Sequence, residues 1–258
     1  MFVKKQVIGH RGAAAYAPEN TLAAFKKAHA LGCRFVEFDV MLSVDGEPFV
    51  FHDESLKRTT TGHGEVGLVT AEYLQSLDAG KWFSRHFRGE KIPTLRETIE
   101  WLGESDIQAN IEIKPYPGFF EQTTIAVLSH INRYWPEGKP LPLVSSFDID
   151  ALHLCRDFSP ELPLGLLMDV WDDDWLRLAQ ELSCFSIHLN RHVVTKARVR
   201  AIQDAGYAVC VYTVNGRKQA NKFFNWGVDA VFSDYPDLLE TGGLTRFIKT
   251  RVLKPNVC

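Results

Sequence analysis

The stretch VIGHRG, residues 7–12, begins as a short apolar run and ends on His10 and Arg11, followed by a glycine. The apolar part is typical of a buried β-strand, whereas histidine and arginine disfavour burial. A strand that stops on two such side chains therefore needs a polar surface at its C-terminal end. In (β/α)8 barrels the carboxyl ends of the strands form such a surface, because catalytic groups gather there.

Short strand patterns alternate with helical patterns along the rest of the chain. The predicted strands are residues 6–9, 35–40, 109–113, 143–147, 164–168, 185–189, 208–214 and 230–232. The predicted helices are residues 20–31, 122–134, 149–156, 174–182, 196–204 and 218–226, with a last helix that opens at Pro236. Eight strands separated by helices in 258 residues predict an α/β fold, the (β/α)8 TIM barrel.

Local features modify this barrel. Asn20 is predicted to cap the first helix. An extra strand in EPFVFHD, residues 47–53, is expected to pair back onto the second strand through a turn that contains glycine. A short insertion after the second strand covers about residues 45–100, and the chain 1–258 is predicted to be one domain with a frayed tail over residues 247–258.

Composition and charge exclude several classes of protein. The 29 Lys and Arg against 32 Asp and Glu give a net charge of −3, so no nucleic-acid partner is expected. Five cysteines without a Cys-x-x-Cys pair disfavour a disulfide framework and a structural zinc site. The first ten residues lack the apolar region of a signal peptide, and no run reaches the ~18 apolar residues of a membrane span. We therefore predict a cytoplasmic protein without stable membrane insertion, of unknown oligomeric state.

Carboxylates are paired on two of the predicted strands. Glu37 and Asp39 lie two residues apart, so both side chains leave the same face of one strand, and Glu112 and Lys114 repeat this spacing. Like carboxylates repel unless a cation lies between them or one is protonated. The alternative interpretation is that one carboxylate faces a helix and pairs with a lysine. Three oxygen ligands, from Glu37, Asp39 and Glu112, predict a divalent cation, first Mg²⁺, with Ca²⁺ and Mn²⁺ as alternatives.

Two histidines and two cations surround the predicted cation site. Histidine titrates near neutrality and can give or take a proton in catalysis. Taken singly, His10 and His52 would more often be structural, but their shared position at strand ends favours a catalytic pair. Arg11 and Lys114 carry permanent positive charge, and arginine can donate to two phosphoryl oxygens at once. A hard metal, two acid–base groups and two cations predict phosphoryl chemistry.

Weaker candidates have two interpretations each. His188 and Asn190 end the sixth strand, where a hydrogen bond to substrate and a structural role are equally open. Trp82 and Phe83 in the insertion could form a wall of the substrate pocket or a plain hydrophobic anchor.

An ordered set of motifs resembles the glycerophosphodiester phosphodiesterase family from about Val7 to Asp234. The motifs are HRG (10–12), APENT (17–21), EFD (37–39), HD (52–53), EIKP (112–115) and YTVN (212–215). The resemblance implies a TIM barrel with a short insertion, a divalent cation, and hydrolysis of glycerophosphodiesters to glycerol 3-phosphate and an alcohol in glycerophospholipid breakdown. It also implies roles for the matched residues, namely metal ligation by Glu37, Asp39 and Glu112, acid–base catalysis by His10 and His52, and phosphate binding by Arg11 and Lys114.

Two alternative functions are compatible with the same barrel. A phosphodiesterase that cleaves lysophospholipid or sphingomyelin would be expected to carry a signal peptide, disulfides and exposed apolar residues. A non-catalytic barrel that binds a phosphorylated metabolite would not need a pair of proton-transfer groups beside its carboxylates. The expected partner is therefore a small-molecule glycerophosphodiester substrate.

Overall fold

Eight parallel strands close into a barrel in the structure, a computed structural model that describes residues 5–239. The strands in chain order are β1 (Gln6–His10), β2 (Phe35–Leu42), β3 (Pro48–Val50), β4 (Gln108–Ile113), β5 (Leu143–Ser146), β6 (Leu164–Met168), β7 (Ser186–Asn190), β8 (Ala208–Tyr212) and β9 (Ala230–Ser233). The sheet order is β1-β9-β8-β7-β6-β5-β4-β2-β3, and β1 also pairs with β2, which closes the barrel. The predicted TIM barrel is confirmed.

Helices cover the outside of the barrel. They are α1 (Leu22–Ala30), α2 (Ala71–Ser76), α3 (Leu95–Gly103), α4 (Phe120–Tyr134), α5 (Ile149–Phe158), α6 (Trp175–Glu181), α7 (Lys196–Asp204) and α8 (Arg217–Trp226). Short 3-10 turns lie at Val66–Leu68, Arg85–Phe87 and Pro236–Leu239, the last where a helix was predicted to open at Pro236. No helix in residues 5–239 is long and apolar enough to cross a membrane.

Helix α3 is the one barrel helix that the sequence analysis did not identify, since its residues lie at the edge of the predicted insertion. It begins with a capping box, in which the Thr94 hydroxyl accepts from the Glu97 N–H and the Glu97 carboxylate accepts from the Thr94 N–H. Its buried Leu95, Ile99 and Leu102 follow helical spacing. This signal was present in the sequence.

The predicted cap of α1 is wrong by one residue. Thr21, not Asn20, is the N-cap, and its hydroxyl accepts from the Ala24 N–H at 3.3 Å. Asn20 has a positive φ of 56° and turns its side chain inward to Asp39. The physical reason is that both polar atoms of the Asn20 amide are used by Asp39: the N–H donates to the buried carboxylate, and Oδ1, the atom a cap needs, accepts from the Asp39 N–H at 3.4 Å.

The insertion lies between β2 and α3. As predicted, β3 pairs antiparallel with β2, with Met41 opposite Phe49. The insertion has a small core of its own, separate from the barrel core, formed by Met41, Phe49, Phe51, Leu56, Val66, Leu74, Leu77, Ala79 and Ile92. This core holds the loops that reach over the barrel mouth. The single domain over 1–258 stays a prediction, because the predicted tail lies outside the described residues.

Two apolar layers hold the barrel and leave its C-terminal mouth polar. One face of β2 packs Val36, Phe38 and Val40 against the helices. The lower barrel interior is filled by Ile8, Phe35, Leu143, Cys210, Ala230 and Phe232. Towards the C-terminal ends of the strands the side chains that point into the barrel become polar, so the charged groups of several strands line one cavity.

Candidate active site

One cavity at the mouth of the barrel brings together all the residues that were predicted to form the site. Its walls are built by His10, Arg11, Glu37, Asp39, His52, Asn110, Glu112, Lys114, Ser145, Phe147, Leu167, His188, Tyr212, Thr213 and Phe232. The parallel register explains the convergence, since His10 lies beside Glu37 and Asp39 lies beside Glu112 on adjacent strands.

Three carboxylates meet on one side of this cavity. Ligand oxygens of Glu37, Asp39 and Glu112 all lie within 4.8 Å of one another. Burial and the charge of Asp39 raise the pKa of Glu112 to about 8, and burial with both neighbouring carboxylates raises the pKa of Glu37 well above its usual range. A converging set of hard oxygen ligands with unbalanced negative charge fits a divalent cation.

Asp39 is held in its charged form by its neighbours. Burial works against the charge, but Arg11 and then the other nearby cations, with a hydrogen bond from Asn20, lower the pKa of Asp39. The Asn20 amide donates to Asp39 Oδ2 at 2.8 Å, and Arg11 Nε lies 3.3 Å from the same oxygen. Asp39 is therefore an oriented, ionised carboxylate that is available to ligate a cation.

Arg11 contacts several carboxylates through its backbone N–H and its guanidinium. Its own N–H donates to Glu37 Oε2 at 2.9 Å, and its Nη1 donates to Glu19 Oε1 at 2.6 Å. Burial opposes its charge, but Asp39, Glu19 and Glu37 together raise the pKa of Arg11. The next residue, Gly12, has a φ of +83°, and an added Cβ would lie 2.7 Å from the α1 backbone. Only glycine permits this turn.

His10 is oriented by a chain of hydrogen bonds from the last strand. Its Nδ1 lies 2.7 Å from Asp234 Oδ1. The Asn215 amide donates to Asp234 Oδ2 at 2.5 Å, and Asn215 Oδ1 accepts from the Asp234 N–H at 2.9 Å. A carboxylate on Nδ1 fixes the ring and leaves Nε2 for another partner.

The His52 ring lies between the Asp53 carboxylate and the Lys114 ammonium. Its Nδ1 lies 2.6 Å from Asp53 Oδ1, and its Nε2 lies 2.6 Å from Lys114 Nζ. An ammonium can only donate, so Nε2 is the acceptor and the ring proton is on Nδ1. Burial, followed by the positive charges of Arg11 and Lys114, lowers the pKa of His52 and outweighs the charge of Asp39.

His188 forms part of the cavity wall, whereas Asn190 does not. The His188 ring is completely buried, its Nε2 lies 2.8 Å from Ser186 Oγ, and its Nδ1 has no hydrogen-bond partner among the described residues. Burial lowers the pKa of His188 to about 3, so the ring stays neutral. Gly165 makes room for it, since a Cβ there would lie 2.7 Å from Nε2. Asn190 instead donates to Asp169 at 2.6 Å.

Phe147 and Tyr212 form the aromatic wall of the cavity. Their rings meet edge to face across the mouth, with centroids 5.9 Å apart. Trp82 and Phe83, for which two interpretations were open, do not line this cavity; they pack on each other, and the Trp82 indole donates to the Ala79 carbonyl at 2.7 Å. The pocket-wall interpretation therefore does not fit them.

Sequence reasoning missed the partners of the predicted residues. Asp53, Glu19 and Arg58 form ion pairs around His52 and Arg11, and Asp234 orients His10. Asp53 and Glu19 stand within the quoted motifs, so their positions were visible. The contact of Glu19 with Arg58 spans 39 residues and that of His10 with Asp234 spans 224, so no local pattern indicates them.

A TIM barrel with such a mouth belongs to the class of enzymes that act on phosphate esters. The pattern of the glycerophosphoryl diester phosphodiesterase family matches residues 10–238, so the chain belongs to this family. It is thus an enzyme of the phosphoric diester hydrolase type, as the sequence predicted.

Relatives of known sequence and structure agree with the family. The chain is 35% identical to the glycerophosphodiester phosphodiesterase of Caldanaerobacter subterraneus, over 92% of this chain and 97% of that protein. It is 32% identical to a Bacillus subtilis enzyme of the same name, over 90% and 84%. An Oleispira antarctica phosphodiesterase, solved in complex with the product sn-glycerol-3-phosphate, is 39% identical with a TM-score of 0.88, covering 91% of this chain and 94% of that one.

Proposed function

We propose that this chain hydrolyses glycerophosphodiesters to glycerol 3-phosphate and an alcohol in a reaction that depends on a divalent cation, as a step of glycerophospholipid breakdown. The observation that carries the proposal is the convergence of three carboxylates, two histidines and two cations on one cavity. The similar Oleispira antarctica enzyme, with glycerol 3-phosphate bound as its product, supports the substrate class. The cytoplasmic location stays a prediction.

The cation would be held by the carboxylates of Glu37, Asp39 and Glu112. Mg²⁺ is the first candidate, with Ca²⁺ and Mn²⁺ as alternatives, because all three prefer hard oxygen ligands. When bound, such an ion supplies Lewis-acid polarisation of a phosphoryl oxygen. Arg11 and Lys114 would bind the other phosphate oxygens, and the substrate would then draw the Lys114 ammonium away from His52.

Proton transfer is assigned from the hydrogen bonds of the two histidines. His52 accepts at Nε2, so it would take the proton of the attacking hydroxyl as the new P–O bond forms. With water as the nucleophile this step would yield glycerol 3-phosphate directly. With the glycerol 2-hydroxyl as the nucleophile it would yield a cyclic phosphate, which a water molecule would then open to glycerol 3-phosphate. His10, held by Asp234, would give its proton to the departing alcohol as the old P–O bond breaks. The neutral His188 and the aromatic pair of Phe147 and Tyr212 would form the wall against which the glycerol lies.

The test is release of glycerol 3-phosphate from glycerophosphocholine, measured with and without a chelator. Product release that stops with chelator and returns with Mg²⁺, Mn²⁺ or Ca²⁺ supports the proposal. A parallel reaction with lysophosphatidylcholine examines the alternative substrate class. If only the lysolipid is cleaved, the proposed substrate is wrong.

We expect the enzyme to accept many different alcohol headgroups on the glycerophosphodiester. Beside the catalytic cavity, Asp234 and Glu19 line a second hollow, but Asp234 is already paired with His10 and Glu19 with Arg11 and Arg58. Among residues 5–239, therefore, neither of these carboxylates is left to select a cationic headgroup. We expect kcat/KM for glycerophosphocholine, glycerophosphoethanolamine and glycerophosphoglycerol to agree within about tenfold. A preference of several orders of magnitude for one headgroup would contradict this prediction.

Asn20 is expected to support cation binding through Asp39. Replacing Asn20 with Gly removes the amide that orients the Asp39 carboxylate but tolerates the positive φ at this position. Partners of this kind typically contribute 10–100-fold, so calorimetry should show metal affinity weakened by roughly that factor. The control is Thr21→Ser, which keeps the α1 cap hydroxyl and should bind metal normally. Equal affinities for Asn20→Gly and the unchanged protein would refute the role.

A further inference from the structure

Arg58, in the insertion, contacts two carboxylates that belong to different parts of the fold. Its Nε and Nη2 donate to the two oxygens of Asp53 at 2.5 and 2.9 Å. Its Nη1 and Nη2 donate to the two oxygens of Glu19, in the loop before α1, at 2.7 and 2.8 Å. Both contacts are bidentate, the geometry in which arginine pairs are strongest. Such a network is an exception to the general weakness of exposed ion pairs.

The two carboxylates lead directly to the proposed catalytic groups. Asp53 Oδ1 lies 2.6 Å from His52 Nδ1, and Glu19 Oε1 lies 2.6 Å from Arg11 Nη1. Arg58 is therefore the common partner in a chain that runs from the acid–base histidine to the phosphate-binding arginine. It joins these groups from outside the cavity, since Arg58 itself is not one of the lining residues.

Charge balance makes Arg58 necessary for this arrangement. Hydrogen bonds from Arg58 are the main cause that lowers the pKa of Asp53. Burial opposes the charge of Glu19, but Arg58 and Arg11 together lower the pKa of Glu19. Without the guanidinium, Asp53 and Glu19 would face each other as like charges. Repulsion would then move the partners of His52 and Arg11 apart.

The insertion fixes the position of Arg58. Leu56 is completely buried in the insertion core, and its N–H donates to the Gly64 carbonyl at 3.0 Å. Thr60 Oγ1 donates to the Leu56 carbonyl at 2.6 Å, and a bridge pairs Ser55 with Glu65. The loop that carries Arg58 is thus held at both ends.

We propose that Arg58 is a positioning residue, which holds the His52 ring and the Arg11 guanidinium in the relative arrangement that the reaction needs. The proposal rests on the proposed functions of His52 and Arg11. It gives the insertion a part in catalysis beyond that of His52, which also lies in the insertion, because the loop that carries Arg58 holds the site from outside the cavity.

The first experiment compares Arg58→Met and Arg58→Lys with a matched control. Arg177→Met removes a similarly exposed arginine that also pairs with two carboxylates, Asp174 and Glu181, at α6; none of these three residues lines the cavity. We expect R58M to lower kcat for glycerophosphocholine by roughly 10–100-fold, as for other groups that orient catalytic side chains, and R58K to recover part of the loss. R177M should keep the normal kcat. Equal kcat values for R58M and R177M would overturn the proposal.

The second experiment separates positioning from a general effect on the fold. In a double-mutant cycle, R58M should lower kcat much less in a His52→Ala background than in the unchanged protein, because the ring that it positions is gone. A loss of the same factor in both backgrounds overturns the proposal. Should R58M fail to fold, R58K is tested in the same cycle with the same criterion. If His52→Ala itself retains kcat, the proposed function of His52 fails, which is a distinct result.

Discussion

Replacement of His10 or His52 with alanine is expected to lower kcat by roughly 10²–10⁴-fold, the usual contribution of a general acid or base. Metal affinity should change little, because Glu37, Asp39 and Glu112 remain. The matched control is His63→Ala, since His63 lies exposed in the insertion and outside the cavity. Steady-state kinetics, metal titration and the Tm of each variant are the measurements. A near-normal kcat in either variant would show that the histidine is structural.

The leaving group distinguishes the two histidines. p-Nitrophenolate departs without a proton, whereas the alkoxide of choline needs one. If His10 is the acid, H10A should lose far less activity with glycerophospho-p-nitrophenol than with glycerophosphocholine, and H52A should lose activity with both. The opposite pattern would exchange the two assignments while leaving the pair catalytic.

Removal of the divalent cation is the second change for which a very large effect is expected. Chelation should lower the rate by about 10³-fold, the equivalent of several kcal/mol of charge stabilisation in the transition state. Addition of Mg²⁺, Mn²⁺ or Ca²⁺ in excess should restore activity. Full turnover in excess chelator would refute ligation by the three carboxylates.

A variant of one ligand gives a readout that does not depend on activity. Metal at 100 times its Kd should stabilise the unchanged protein by about 2.7 kcal/mol, a rise in Tm of roughly 5–10 °C at this size. Glu112→Gln should abolish most of that rise and also raise the Tm of the metal-free protein, because the pKa of Glu112 is raised to about 8 and folding at neutral pH must therefore protonate this buried carboxyl. The control, Asp169→Asn, removes a carboxylate that pairs with Asn190 and should keep the metal response. Equal metal responses in E112Q and D169N would contradict the ligand assignment.

The alternation of strands and helices could be predicted because it depends on residues that are close in sequence. The i, i+2 spacing of Glu37 and Asp39 placed both on one face of β2, and a barrel brings strand ends together whatever the detailed register. The three carboxylates and both histidines were therefore predicted correctly as neighbours in one cavity. Helix α3 was missed although its capping box was readable, so this error was one of interpretation.

Asn20 shows where a local pattern misleads. Asparagine before a helix is a good cap, but in the folded chain its amide N–H donates to the buried Asp39 carboxylate and its Oδ1 accepts from the Asp39 N–H, so Thr21 caps α1 instead. Asn20 and Asp39 lie 19 positions apart, and this tertiary contact outweighs the local preference.

Residue identity, strand spacing and the order of the motifs determined by themselves which fold this chain adopts and which carboxylates, histidines and cations line its mouth. The tertiary structure alone decided how those side chains are held. His10 meets Asp234 across 224 residues, and Arg58 meets Glu19 across 39. Such pairs form only when the barrel closes and the insertion folds over it, and no short-range pattern encodes them. Hydrogen bonds and charge act over a few ångströms in space, whatever the separation along the chain.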